Sequence, residues 1–200
     1  MRALSLVFLG FLLVGASHAA TISWVTGGFA TIGFPGTADD DTLGATAGQP
    51  SGSVNLTYGV SDNNHLLFNV SFGYQSSSTN TTSTISNQPN TITVTDGAPA
   101  PGQDIIISYL DTLTGGGTRT HVLSGTSPSL FFTFANGDKL TISNITVATN
   151  SQTGGNGTNL VGVTGNLLLT APEPGTWVLL ASSLIGIGLH GRRRRSSKAN

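Results

Sequence analysis

Two histidines, His65 and His121, and eight aspartates are the groups in the body of this chain that can move protons or hold a metal. The single glutamate, Glu173, lies near the C-terminus, and there is no cysteine. Thiolate metal sites and cysteine nucleophiles are therefore excluded. Asp39-Asp40-Asp41 clusters carboxylate oxygens of the kind calcium favours, but the spacing of a helix-loop-helix calcium loop is missing, and a solvated acidic loop is the expectation. His65 and His121 fall in extended segments, where a lone histidine reads as a partly exposed polar position before it reads as a ligand or base. Glycoside hydrolysis needs two carboxylates flanking a bond, and no spacing among the aspartates selects such a pair. No GxSxG, HExxH or GxxxxGK pattern is present. The expectation is a chain that is not an enzyme and needs no cofactor, with Asp39, Asp40 and Asp41 as its metal candidates.

The elements that would carry these groups are strands. Val54, Leu56, Tyr58 and Val60 alternate with polar residues, as do Leu66, Phe68, Val70, Phe72 and Tyr74; period two marks half-buried strands. Asp62-Asn63-Asn64 between the two runs predicts a hairpin turn. Leu130, Phe132 and Phe134 alternate up to Asn136-Gly137, which predicts a second hairpin with a primed turn, returning through Leu140 and Ile142. The inward phase then moves to Ile145 and Val147, so a bulge is expected near Ser143-Asn144. Further strands are expected at residues 21–32, 91–95, 104–110, 118–123 and 159–170. Residues 35–52 and the Ser/Thr/Asn-rich stretch 75–90 read as loops. Eight or nine short strands without a 3.6 period predict one all-β domain over residues 20–170, a β-sandwich of jelly-roll-like or Ig-like kind. Thr91, Thr93 and Thr95 share one strand face, a single threonine row of the sort ice- or carbohydrate-surface binders stack in several copies.

Six of the eight cations lie in the two terminal segments, so the body keeps Arg119 and Lys139 against eight aspartates, a formal −6. Nucleic-acid binding rests on phosphate neutralisation by Lys and Arg, and that class is excluded. Residues 1–19 carry an early arginine, an apolar stretch at 4–14 and small residues at 17 and 19. This is the pattern of a signal peptide cut by signal peptidase between Ala19 and Ala20. The stretch is about half the roughly 20 residues a membrane span needs.

At the other end, Pro172-Glu173-Pro174 precedes an apolar run at residues 177–189 and then Arg192-Arg193-Arg194-Arg195. The prolines hold the glutamate extended. Residues 175–191 as a helix span about 25 Å, the short end of what crosses a bilayer. The arginines orient that helix with the C-terminus cytoplasmic. The order, types and terminal position resemble the PEP-CTERM sorting signal of exosortase substrates in Gram-negative bacteria that make exopolysaccharide; the same tail has also been attached to some ice-binding proteins. The resemblance covers residues 171–195. It implies that Pro172, Glu173 and Pro174 are the motif near which an exosortase-type membrane protease cuts. It further implies a transmembrane helix at 177–189, a stop at Arg192 to Arg195, and a short cytoplasmic tail at 196–200. An inner-membrane intermediate, followed by delivery to the cell surface or extracellular matrix, is then expected, with exopolysaccharide as a partner. The expected role is structural or adhesive. The alternatives are an aspartate-dependent glycoside hydrolase and an ice- or carbohydrate-surface-binding module.

Overall fold

The computed structural model describes residues 19–27, 31–34, 41–45, 51–74, 82–114, 120–153 and 155–172. Residues 1–18 of the expected signal peptide 1–19, Asp39, Asp40 and the residues from Glu173 onward lie outside them. In chain order the strands are β1 (Ala19–Thr26), β2 (Ile32–Gly33), β3 (Thr42–Ala45), β4 (Ser51–Thr57), β5 (Ser61–Tyr74) and β6 (Thr82–Asp96). They continue as β7 (Ala98–Pro99), β8 (Gln103–Thr114), β9 (Thr120–Ser127), β10 (Leu130–Thr133), β11 (Lys139–Thr153) and β12 (Gly157–Thr170). Among the described residues no helix is long and apolar enough to cross a membrane. A second unit begins at Ala171, of which Ala171 and Pro172 are described, both exposed.

All strands join one antiparallel sheet in the order β2-β3-β5-β12-β11-β9-β8-β6-β1-β4, with β10 also on β11 and β7 also on β6. The all-β expectation therefore holds, and the sheet is curled. Its inward residues form a single core that includes Ile22, Phe72, Ile105, Ile107, Leu123, Phe132, Leu140, Ile142 and Leu169. Each fully buried side chain of this size contributes about 1.5–3 kcal/mol relative to exposure.

The curl brings β4 beside β5 without a ladder between them. Trp24 on β1 bridges this gap: its indole Nε1–H donates to the Leu67 carbonyl of β5 at 2.8 Å. The ring lies over Gly52 of β4, where a Cβ would stand 2.3 Å from Trp24 Cζ2. The turn after β4 adds a second tie, with Gly59 N–H donating to the Leu169 carbonyl of β12 at 2.8 Å.

Several expectations need correction: within the 35–52 stretch read as loop, Thr42–Ala45 is strand β3 and β4 begins at Ser51. The first hairpin does not form: the chain turns at Thr57–Val60, with Gly59 at φ 74, and Asp62-Asn63-Asn64 belongs to β5. β4 pairs with β1, and β5 with β12 and β3. The alternation along β5 also breaks, because the register shift between Val163 and Thr164 leaves Leu67 as an inserted residue opposite β12. Leu67 and Phe68 are both buried, and Leu66 is turned outward. A bulge of this kind re-aims the residues beside it.

Residues 82–90 are strand rather than loop. They pair with β8 through a register shift between Ile85 and Gln88, with Asn87 at φ 55. Pro89 is tolerated because this half of β6 has its ladder partner only on the β8 side. The second hairpin forms as expected, with Leu130 opposite Ile142 and Phe132 opposite Leu140. Its turn is not of a primed type, which needs φ > 0 at the first or at both central residues, here Ala135 and Asn136. Here Gly137 alone is positive, at φ 89, and its N–H donates to the Phe134 carbonyl. The bulge near Ser143-Asn144 is present, with Asn144 at φ 50. It sits where β11 changes neighbour from β10 to β9.

Candidate functional site

Strand β8 presents Ile105, Ile107, Tyr109, Asp111 and Leu113 inward. Asp111 is thus an acid in the apolar phase of its strand, and it is 1% exposed. Its direct partners are Ser83 on β6 and Leu123 on β9. His121 lies two residues before Leu123 on the same face, so it is the diagonal neighbour of Asp111 and within reach of it. Asp41 arrives from the other end of the sheet: it precedes β3, and its carbonyl accepts from Phe34 N–H at 2.9 Å. The curl seats it against β8 and β9, where His121 Nδ1 meets Asp41 Oδ2 at 2.8 Å. Donor atoms of Asp41, Asp111 and His121 all lie within 4.8 Å of one another, and all three residues are buried.

Burial raises the Asp111 carboxyl most, and close approach to Asp41 raises it further, to about 8 against a backbone contribution from Thr112. Neither Asp111 oxygen makes a hydrogen bond of good geometry, and the same holds for His121 Nε2 and the Ser83 hydroxyl. More than nine in ten buried polar groups in folded proteins have a partner. Four orphaned atoms on three adjacent strands therefore mark this cluster as unusual. With Nδ1–H donating to Asp41, the neutral imidazole offers Nε2 as a lone pair. The Tyr74 ring stands 5.6 Å from the imidazole. Such a group of two carboxylates and one imidazole can share protons or hold a cation.

The other polar groups are placed as follows. Of the Asp39–Asp41 run, Asp41 is described, and it is a buried residue rather than part of a solvated loop. His121 is fully buried, contrary to the partly exposed position expected of it. His65 is partly exposed, as expected, and its Nδ1 meets Asp62 Oδ2 at 2.8 Å while its ring meets the edge of Trp24. Thr91, Thr93 and Thr95 do share an outward face, and Thr91 Oγ1 donates to Asp104 at 2.6 Å. The residues opposite Thr93 and Thr95 on β1 are Val25 and Ser23, so the row has no second threonine row beside it there. Ala19 and Ala20 begin β1, opposite Thr57 and Leu56. Asp111 was missed by spacing arguments; the signal that marks it is its inward phase between Tyr109 and Leu113.

A second acidic group stands near the β10–β11 turn. Tyr58 donates to Asp138 Oδ2 at 2.5 Å, and Asn136 Nδ2 reaches both Asp138 at 2.9 Å and Asp96 at 3.0 Å. The hydrogen bond to Asp138 pushes the Tyr58 hydroxyl up to about 12, with burial adding to it. These bonds tie the β4–β5 turn to the β10–β11 turn. Tyr58→Phe is expected to cost about 1 kcal/mol, read as a fall in urea midpoint with an unchanged m-value. An unchanged midpoint would show that this tie contributes nothing.

Comparison with known proteins finds no matching family model, no matching curated protein and no matching solved structure.

Proposed function

We propose that the chain is an exported, non-enzymatic surface or matrix protein whose tail is a PEP-CTERM sorting signal. The observation that carries this reading is the order Pro172-Glu173-Pro174, apolar run, Arg192 to Arg195 at the C-terminus. Signal peptidase removes residues 1–19, and the run at 177–189 holds the intermediate in the inner membrane of a Gram-negative cell. An exosortase-type protease then cuts near the proline-flanked glutamate. In this reading the curled sheet is a sandwich of jelly-roll or immunoglobulin kind, its halves packed through the common core. Its role is structural or adhesive, within a biofilm or exopolysaccharide envelope. The lone threonine row and the buried position of Asp41 and Asp111 favour this over ice binding or polysaccharide cleavage, since a substrate sugar needs carboxylates in an open cleft.

Glu173→Ala in the native host tests it. The variant is expected to accumulate at full length in the inner membrane, while the wild-type chain is recovered outside the cell. Equal distribution of the two proteins would overturn the assignment.

A further inference from the structure

We propose that Asp41, Asp111 and His121 form a binding site for one divalent transition-metal ion of the zinc class. The first support is geometric. A tetrahedral site with bonds of about 2.0–2.1 Å places its ligand atoms about 3.3 Å apart. The donor atoms here are held within 4.8 Å of one another. Small side-chain adjustments bring all three onto one ion.

The second support is the set of orphaned atoms. Asp111 Oδ1 and Oδ2 and His121 Nε2 are buried without a hydrogen bond of good geometry. Leaving each such atom unpaired costs about 1–3 kcal/mol. The histidine–carboxylate pairs among the described residues are His65–Asp62 and His121–Asp41, and neither brings a lysine or arginine to Asp111. Asp111 has no fixed cation beside it, and a divalent ion supplies that charge.

The donor set selects the class of ion. An imidazole nitrogen beside carboxylate oxygens suits zinc and its transition-metal neighbours, whereas calcium and magnesium take oxygen ligands alone. Three protein ligands leave a fourth tetrahedral position, and the buried Ser83 hydroxyl stands directly across from Asp111. The ion would pin the segment before β3 to β8 and β9, joining residues 80 apart in the chain. In a chain without cysteine this is the kind of long-loop staple that a disulfide supplies elsewhere.

The test uses the full chain in detergent, stripped with chelator and titrated separately with Co²⁺, Zn²⁺, Ca²⁺ and Mg²⁺. About one equivalent of Co²⁺ is expected to give a visible absorption band of a low-coordinate N/O site. Zn²⁺ at a hundred times its Kd is expected to raise Tm by about 5–10 °C. Asp111→Asn keeps the side-chain shape and should lose both responses. His121→Gln, judged on the cobalt band alone, serves as the second variant. Absence of the band together with an unmoved Tm would overturn the site. So would a response to Ca²⁺ or Mg²⁺ only, or variants that bind like the wild type.

Discussion

In metal-free solution the wild-type chain is expected to lose stability steadily as pH rises from about 4 to about 8, and Asp111→Asn is expected to lack that component. Asp111 has an ordinary carboxyl pKa in the unfolded chain and one pushed up to about 8 in the fold, by burial first and by Asp41 second. Between those values the native state holds a proton that the unfolded state has released. Stability falls with pH wherever the native state binds more protons. The contribution is complete below the unfolded pKa and gone once pH has passed the folded one. At about 1.4 kcal/mol per unit, the whole window amounts to several kcal/mol. The asparagine variant carries no ionisable proton there, so the difference between the two urea midpoints reports Asp111 and its interaction with Asp41, free of the more distant acids. The two should agree near pH 4 and separate toward pH 8, with the variant the more stable. Parallel profiles across that window would mean that Asp111 is not held neutral by the fold.

Removing Trp24 should damage the fold severely, because it bridges β1, β4 and β5. Trp24→Ala is expected to cost about 3–5 kcal/mol, a fall in Tm of about 6–20 °C for a domain of this size. Two losses combine. The indole is 4% exposed, so its area leaves the core, and the Leu67 carbonyl loses its donor at the bulge. Trp24→Phe separates them, since it keeps most of the apolar area and removes the N–H. Its expected cost is about 1–3 kcal/mol. The partnership with Gly52 makes a sharper check. Gly52→Ala alone drives a methyl group into the Trp24 ring and should be strongly destabilising. In the Trp24→Ala background the same change has no ring to meet, so most of its cost should vanish. A double-mutant cycle measures that coupling. Additive losses would show that the indole does not lie on Gly52.

These two sites differ in how far the sequence reveals them. Alternation identifies β4, the β10–β11 hairpin and much of β12, because an apolar residue at every second position has only one place to go in a half-buried sheet. The shift of phase at Ser143-Asn144 is legible for the same reason. Residues 82–90 are opaque, since Ser, Thr, Asn and Gln give no hydropathy contrast and Ile85 is their one apolar anchor. The β5 bulge is hidden as well. Leu66, Leu67 and Phe68 are all apolar, and which two turn inward is decided by pairing with β12 rather than by the run itself.

The acidic cluster is hidden for a topological reason. Asp41 sits beside two further aspartates, and nothing local sets it apart. Only the curl of the sheet joins it to His121, 80 residues later. Asp111 and His121 do leave a trace. Each occupies an inward position among aliphatic neighbours, where a polar residue is out of place unless something partners it. A search for polar residues in the apolar phase of a strand finds both. It does not find Asp41.

Mass spectrometry of C-terminal peptides from protein recovered outside its native cells is the decisive test of the sorting signal in the tail. The expected result is a new terminus near residues 172–176, with residues 177–200 missing. A terminus at Asn200, on protein found only with membranes, would contradict it and leave a single-span surface protein in place of a sorted one.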